Sequence, residues 1–207
     1  KTSLMNDTVY WAARSALGEK LDRERRSGWD TAMGFGCFRA VYQVDQSPIG
    51  KTPRSTPATY VGFMDDIRTL FAQTEDARRL GFDKGRFSFN TSRGACESCK
   101  GTGMQKLEMD FLPPCYVKCP SCNGKRYNDA TLAVRYKGKT ISDVLEMNFE
   151  EAAEFFESQP RIGAPLQLLV DTGLGYLTLG QASNTLSGGE SQRLKLVAEL
   201  IKGLLIS

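Results

Sequence analysis

Four cysteines near the middle of the chain have the spacing of a metal site. Cys96 and Cys99 form one Cys-x-x-Cys pair, and Cys119 and Cys122 form a second pair after residues 100–118. Such a turn aims two sulfurs at one point, so two turns can complete a tetrahedron with Zn–S distances of about 2.3 Å. Because four thiolates fill every position around the metal, we expect one structural Zn²⁺ and no activated water.

The alternative interpretations of these cysteines, without a metal, are two disulfides or four free thiols in a core. A reducing cytoplasm argues against disulfides, and the spacing favours zinc. Two further cysteines have other interpretations. Cys37 is expected in the core at the start of a strand, and Cys115 is expected beside the metal site without binding to it.

A second chemical feature is the turn Ser187-Gly188-Gly189-Glu190, which precedes apolar residues at helical spacing. Free N–H groups and the positive end of a helix dipole suit such a turn to an anion, and a γ-phosphate fits it. The sequence holds no complete phosphate loop. The turn by itself therefore leaves open which anion it meets.

Composition limits the remaining chemistry. The chain has no histidine, which excludes histidine-based catalysis and leaves cysteine as the soft metal ligand. Its 207 residues are 41% hydrophobic and 25% charged, as in an ordinary globular protein. The net charge of +3 is too small to argue for nucleic-acid binding by itself. Without a membrane-length apolar run or a secretory leader, we expect a cytoplasmic protein with no membrane partner.

The elements that must position these residues are mostly helices, with short strands between them. The predicted helices of the first half are 3–17, which stops at Gly18, about 60–72 after a Thr59 cap, and a short helix from Thr74 to Gly81. Those of the second half are 149–156, with an Asn148/Glu151 capping box, and 164–172, which Gly173 closes. The last predicted helix follows Ser187 and has Leu194, Val197, Leu200 and Ile201 on one side. The predicted strands are 38–44, one with Leu107, Met109 and Phe111 on one face, and one with Leu132, Val134 and Tyr136 before a Lys137-Gly138 turn.

The glycine turn lies in a longer pattern with a family resemblance. LSGGE followed by Gln192 and Arg193 resembles the signature motif of the ABC ATPases, which closes over ATP bound to the opposite nucleotide-binding unit. The start Lys1-Thr2-Ser3 is similar to the end of a phosphate loop, G-x-x-x-x-G-K-[ST], without its glycines. With no complete Walker A motif and no Walker B motif, we expect the chain by itself not to hydrolyse ATP.

Other segments narrow the resemblance to one family. With the two cysteine pairs, residues 45–62, RFSFN at 86–90 and GKRYN at 124–128 resemble the second nucleotide-binding half of the UvrA family, the DNA-damage recognition subunits of bacterial nucleotide excision repair. The resemblance implies an α+β fold, in which a helical ABC signature subdomain holds an inserted four-cysteine zinc-ribbon module beside a remnant of the P-loop ATPase lobe. The implied divisions are 1–45 (partial ATP-binding lobe), 46–85 (first part of the signature domain), 86–128 (zinc module) and 129–207 (second part of the signature domain).

The resemblance also implies roles for individual residues. Gln46 would be the Q-loop residue that senses Mg²⁺ and the γ-phosphate, while Lys1 would contact phosphates and Thr2 would hold Mg²⁺. The signature residues that would meet ATP are Ser187, Gly188, Gly189 and Glu190. The basic residues implied to contact DNA are Lys51, Arg54, Arg86 and Arg93, for which the alternative is solvated surface charge.

The implied partners are damaged double-stranded DNA, the remainder of a UvrA protein, a second UvrA subunit in a homodimer, and UvrB through regions outside this chain. ATP and Mg²⁺ would be cofactors of the full-length protein. Two alternatives remain. One is a UvrA-like paralogue that gives resistance to a DNA-binding drug. The other is a chaperone-type zinc-ribbon binding module, because residues 96–103 match the pattern CxxCxGxG once.

Overall fold

The structure is a computed structural model that describes residues 3–22, 25, 29–50, 52–109 and 112–206. Lys1, Thr2, Lys51 and Phe111, all singled out in the sequence, lie outside the described residues. Contacts between residues divide the chain into two compact units, Lys1–Asp45 and Gln46–Ser207. Each unit is described by itself.

The first unit contains the helix that was predicted over 3–17. It begins as a π-helical turn at Leu4–Val9 and continues as α1 (Tyr10–Ala16), and Gly18 follows with a positive φ of 90°. Ala12 and Ala13 are buried, whereas Leu4 and Met5 are exposed. The helix is therefore confirmed, but its predicted apolar face is only partly buried.

The strand predicted over 38–44 is wrong. These residues belong to no helix or strand, and the side chains of Phe38 and Tyr42 are 54% and 51% exposed. Cys37 lies exposed in a 3₁₀ turn, Phe35–Cys37, so its predicted place in the core is also wrong. Alternating apolar residues form a strand only when a neighbour accepts their backbone hydrogen bonds, and the described part of this unit offers no such partner.

The second unit is built mainly from helices that pack around one core. Its helices are α2 (Pro57–Val61), α3 (Met64–Ala72), α4 (Glu75–Arg79), α5 (Asp129–Leu132), α6 (Ile141–Glu146), α7 (Phe149–Phe155), α8 (Pro160–Leu169) and α9 (Gly188–Ile206). Phe71, Phe149, Leu166 and Leu194 are fully buried in this core. Burying one such side chain contributes about 1.5–3 kcal/mol relative to leaving it exposed.

Short polar residues start most of these helices. Thr74 accepts a hydrogen bond from the Ala77 N–H at 3.3 Å, which confirms the predicted start of α4. Asn148 and Glu151 form the predicted capping box at the start of α7, with N···O distances of 2.8 and 3.0 Å. Local hydrogen-bonding preferences of Ser, Thr, Asn and Asp therefore set these boundaries.

Two proline-containing boundaries differ from the prediction. The helix expected after Thr59 begins at Pro57 with Thr56 as its cap, and Gly62, with φ of 107°, separates it from α3. The helix expected from 164 begins at Pro160 and continues past Pro165. Proline is tolerated in the first turn of a helix, where its missing N–H has no intrahelical partner, and this explains both early starts.

Two details of the second half also differ from the sequence prediction. Leu132 ends α5 instead of starting a strand, and Tyr136 pairs only with Lys139 across the predicted Lys137-Gly138 turn. In α9, Leu194 and Val197 are buried as predicted, but Leu200 is 42% exposed. Residues 133–136 form a partly exposed loop, in which Val134 is buried in the core while Ala133 and Arg135 are exposed.

The two strands form a hairpin between the cysteine pairs. β1 (Met104–Met109) runs antiparallel to β2 (Leu112–Lys118), with Met104 opposite Lys118 and a register shift between Leu107 and Met109. The strand predicted around Leu107 is thus confirmed, although Leu107 itself is exposed. The fold is a mixture of helices with a small sheet. Within the described residues, no helix has the length and apolarity that crossing a membrane requires.

Candidate metal centre and signature turn

The hairpin brings the two cysteine pairs together. Because Met104 pairs with Lys118, the residues just before β1 and just after β2 become neighbours. The chain turns back sharply after each pair. Lys100, Gly101 and Gly103 have positive φ after the first pair, and Asn123, Gly124 and Arg126 have positive φ after the second. A Cβ at Gly101 would collide with the backbone carbonyl of Phe89, so this turn requires glycine.

The four sulfurs form a compact, buried group. The Sγ atoms of Cys96, Cys99, Cys119 and Cys122 all lie within 4.8 Å of one another. Each of these residues is at most 7% exposed. The sulfurs of Cys99 and Cys122 are 3.7 Å apart, much farther than a disulfide bond of about 2.05 Å. A tetrahedron with Zn–S bonds of about 2.3 Å puts its sulfurs about 3.8 Å apart, so one zinc ion fits this group.

The electrostatics of the group also favour a cation. Burial by itself raises the pKa of the Cys119 thiol, but N–H groups of Cys122 and Ser121 that donate to its sulfur lower it to about 7. Burial raises the pKa of Cys122 to about 12. Thiols packed this closely cannot all ionise unless a positive ion compensates their charge. A Gly103 N–H that donates to Cys99 Sγ at 3.3 Å would stabilise a metal-bound thiolate.

Cys115 lies in β2, opposite Leu107, and is outside the group of four sulfurs. The hydroxyls of Ser98 and Ser121 hydrogen-bond at 2.8 Å and link the two cysteine turns on their exposed side. The group of four sulfurs is therefore assembled from local turns and one hairpin.

The signature turn begins α9 through a reciprocal cap. The Ser187 N–H donates to Glu190 Oε2 at 2.7 Å, and the Glu190 N–H donates to Ser187 Oγ at 3.3 Å. The Tyr176 hydroxyl donates to the other carboxylate oxygen of Glu190 at 2.6 Å. The hydrogen bonds from Tyr176 and Ser187 lower the pKa of Glu190. Glu190 therefore holds the shape of the turn, a role in addition to the predicted contact with nucleotide.

The two glycines of the turn are exposed. A Cβ at Gly189 would meet nothing within 4 Å, whereas a Cβ at Gly188 would lie 3.6 Å from the Cβ of Gln46. Lys195, farther along α9, donates from Nζ to Ser47 Oγ at 2.6 Å. The structure thus brings the predicted Q-loop residue next to the signature turn and leaves the outer side of the turn open.

The candidate DNA-contacting residues have different surroundings. Arg54 is exposed, and one of its terminal nitrogens donates to the Lys100 carbonyl at 3.1 Å. Arg93 is exposed and forms an ion pair with Asp83 at 3.2 Å. Arg86 is half-buried, donates from Nε to Thr131 Oγ1 at 3.2 Å and stacks over the Phe82 ring. Arg54 is therefore the most available of the three, and Arg86 has a clear structural role.

Arg126 is a functional candidate to which sequence reasoning gave no specific role. Its guanidinium donates to the Gly180 carbonyl at 2.9 Å and to the Pro53 carbonyl at 3.4 Å, and it lies over the Phe89 ring. Its own carbonyl accepts from the Cys96 N–H at 2.8 Å. All of these contacts join segments distant in sequence, so no local pattern could have revealed them.

Known proteins resemble the chain in sequence and in fold. No family model matches it. UvrABC system protein A of Staphylococcus epidermidis is 54% identical over 204 residues, which is 98% of this chain and 21% of the relative. UvrABC system protein A of Staphylococcus aureus gives the same identity and coverage. The chain thus spans about a fifth of the length of the curated relatives it matches.

The fold comparison agrees with the sequence comparison. The crystal structure of UvrA2 from Deinococcus radiodurans superposes with a TM-score of 0.73 and 52% sequence identity, over 77% of this chain and 20% of that one. The sequence comparison and the fold comparison thus both find UvrA proteins. Over the segment that it spans, the chain belongs to the UvrA family.

Proposed function

We propose that the chain is the zinc-containing signature portion of an ATP-dependent subunit that recognises DNA damage in nucleotide excision repair. The observation that carries the proposal is the presence, in one unit, of a four-sulfur group and an exposed Ser-Gly-Gly turn. The 54% identity to UvrABC system protein A supports the same function.

In this proposal Cys96, Cys99, Cys119 and Cys122 hold one structural Zn²⁺. The metal compensates the four thiolates and fixes the hairpin relative to the helices. It performs no reaction, since no ligand position is left for water or substrate. The zinc module therefore supports Arg54, whose guanidinium donates a hydrogen bond to the Lys100 carbonyl of the first cysteine turn.

The nucleotide role belongs to the exposed turn. Ser187, Gly188 and Gly189 close over the γ-phosphate of an ATP held by another nucleotide-binding unit, and Glu190 keeps their N–H groups in place. Gln46 responds to the same phosphate, since it adjoins Gly188. Contacts of Lys1 with phosphates and of Thr2 with Mg²⁺ are part of the proposal, although both residues lie outside the described part of the chain.

The residues proposed to contact DNA phosphates are Arg54, Lys51, Arg93 and Arg86. Phosphate contacts of this kind position a protein on duplex DNA without reading its sequence. Damage is then sensed through the distortion and deformability of the duplex. The proposed partners are damaged double-stranded DNA, the remainder of a UvrA protein, a second UvrA copy and UvrB, in the cytoplasm. The four-part division at residues 45, 85 and 128 remains a proposal.

DNA binding by the isolated chain tests the proposed function. We expect weak binding that depends steeply on salt and little on sequence. Arg54→Gln removes the charge but keeps an N–H donor for the Lys100 carbonyl. The substitution should weaken binding equally for all DNA sequences. It should also reduce, by about 1, the magnitude of the slope of the logarithm of the binding constant against the logarithm of the salt concentration. Fluorescence anisotropy with a labelled duplex at several salt concentrations measures both quantities.

Arg79→Ala is the matched control, because Arg79 is an exposed arginine on α4. Its salt slope should equal that of the unchanged chain. If Arg54→Gln and Arg79→Ala behave alike, Arg54 is not a phosphate contact. If the unchanged chain does not bind DNA at all, the proposed function of this portion is wrong.

A further inference from the structure

Arg126 lies where four segments of the second unit meet. Its backbone belongs to the cysteine module: its carbonyl accepts from the Cys96 N–H at 2.8 Å, and its N–H donates to the Cys122 sulfur. One residue therefore contacts both cysteine pairs through its main chain. Its positive φ of 70° is a conformation that few non-glycine residues adopt.

The side chain of Arg126 contacts two loops outside the module. One terminal nitrogen donates to the Gly180 carbonyl at 2.9 Å, and the other donates to the Pro53 carbonyl at 3.4 Å. The ring of Phe89 lies 5.1 Å beneath the guanidinium. The ion pairs of the described residues do not include Arg126. The planar guanidinium of Arg126 thus uses its two terminal nitrogens to donate hydrogen bonds to two backbone carbonyls.

The two loops that Arg126 holds carry the candidate functional residues. Loop 46–56 contains Gln46 and Arg54, and the segment 178–187 leads directly into the signature turn. These two segments also contact each other. The Ser183 N–H donates to the Ser55 carbonyl at 2.9 Å, and the two serine hydroxyls are 3.2 Å apart.

The turn at Gly180 leaves little freedom for adjustment. Its N–H donates to the Leu145 carbonyl at 2.8 Å, and a Cβ at Gly180 would lie 2.8 Å from that oxygen. Gly180 is thus fixed to α6 on one side and to Arg126 on the other. A displacement of Arg126 would therefore either move the Gly180 turn or break its hydrogen bond to the Gly180 carbonyl.

We propose that Arg126 is a positioning residue that couples the four-cysteine module to loop 46–56 and to the segment that precedes the signature turn. Loading of the module with metal fixes the Arg126 backbone, and the guanidinium then orders both loops. The inference rests on the proposed metal site and adds a physical link between that site and the residues proposed to meet DNA and nucleotide.

Hydrogen exchange of the chain, with and without Zn²⁺, tests this coupling. In the unchanged chain, Zn²⁺ should protect amides in 52–56 and 178–183 as well as those of the module. In Arg126→Met, one Zn²⁺ per chain should still bind, but protection of the two loops should fall by about tenfold or more, since a charged donor has been removed. Arg126→Lys should restore part of the protection, because its single ammonium cannot span both carbonyls in the same way.

Arg135→Met is the matched control, because Arg135 is exposed and its guanidinium donates to the nearby Gly138 carbonyl at 2.9 Å. Its exchange pattern should match that of the unchanged chain. The coupling is refuted if both Arg126 variants bind Zn²⁺ and keep full protection of the loops. It is also refuted if both variants lose Zn²⁺, because Arg126 then serves the module alone. An unchanged chain that binds no Zn²⁺ refutes the metal site itself.

Discussion

The cysteine module and the signature turn are two candidate ligand sites, and they differ in how much of a site each one supplies. The module supplies four buried sulfurs from its own turns, all within 4.8 Å of one another. The signature turn supplies an exposed serine and two glycines at the start of α9, with Gly189 facing open space. The cysteine module is therefore a closed cage, whereas the signature turn forms one side of a ligand site and leaves the other side open.

This difference indicates how each region is stabilised. If the module holds the proposed zinc, it gains its stability when the metal binds, and binding and local folding are then one process. An open turn must be shaped before its ligand arrives. Tyr176, Ser187 and Glu190 provide that shape through hydrogen bonds of 2.6 to 3.3 Å. The regions should therefore respond differently to metal removal, to loss of a buried hydrogen bond and to acid.

The largest expected effect is loss of the metal. Cys119→Ser replaces a fully buried residue that is a proposed zinc ligand, and metal binding in such sites contributes on the order of 10 kcal/mol to local folding. We expect less than one zinc per chain and rapid amide exchange in 96–127, while the amides of α7 and α8 stay protected. Metal analysis and hydrogen exchange measure the two effects.

Cys115→Ser is the control for that experiment, because Cys115 lies on the same hairpin but outside the group of four. It should keep one zinc and a protected hairpin. A Cys119→Ser chain that still binds one zinc tightly, with unchanged exchange in the module, would contradict the closed-cage description.

A smaller effect is expected where the module joins the helical core. The Tyr127 hydroxyl donates to the Phe87 carbonyl at 3.1 Å in a fully buried place, and burial raises the pKa of Tyr127, so the donor stays protonated. Tyr127→Phe leaves that carbonyl without its partner and should lower the free energy of unfolding by about 1–3 kcal/mol. Urea denaturation followed by far-ultraviolet circular dichroism measures the change.

Tyr116→Phe provides the comparison, since Tyr116 is 58% exposed on β2. Its denaturation midpoint should be unchanged. Equal midpoints for both variants would show that the module and the core are joined by packing alone, without help from this hydrogen bond.

The smallest effect concerns the signature turn and acid. The hydrogen bonds from Tyr176 and Ser187 hold the pKa of Glu190 below its ordinary value of 4.5. A lowered pKa in the folded chain means that the carboxylate stabilises the turn above the unfolded-state pKa and that this contribution is lost as pH falls through the folded pKa. Glu190→Gln should therefore remove a small part of the stability at neutral pH and make stability less dependent on pH below about 4.5.

Thermal unfolding at a series of pH values checks this difference, with Glu157→Gln as an exposed control on the segment after α7. The Glu157 variant should follow the unchanged chain at every pH. A Glu190→Gln curve that also follows it throughout would mean that the carboxylate does not shape the turn.

Sequence reasoning predicted those parts of the molecule that depend on neighbours in the chain. The Cys-x-x-Cys spacing predicted that four sulfurs would meet, because each turn is local and one hairpin joins them. The capping residues Thr74 and Asn148 predicted their helix starts for the same reason. A strand depends on a partner elsewhere, so the alternation in 38–44 was misleading. The role of Arg126 depends on carbonyls far away in sequence, which no single-sequence pattern encodes.

One consequence follows from the length of α9. The helix runs without interruption from Gly188 to Ile206, 19 residues, which corresponds to about 28 Å at 1.5 Å per residue. A rod of this kind transmits tilt with little bending, and Arg193 anchors it near its beginning to the carbonyls of Thr172 and Gly173. Leu194 and Val197 are buried in the core beyond this anchor, so the helix is held both near its beginning and along its middle, and a contact at its glycine end acts on a fixed element.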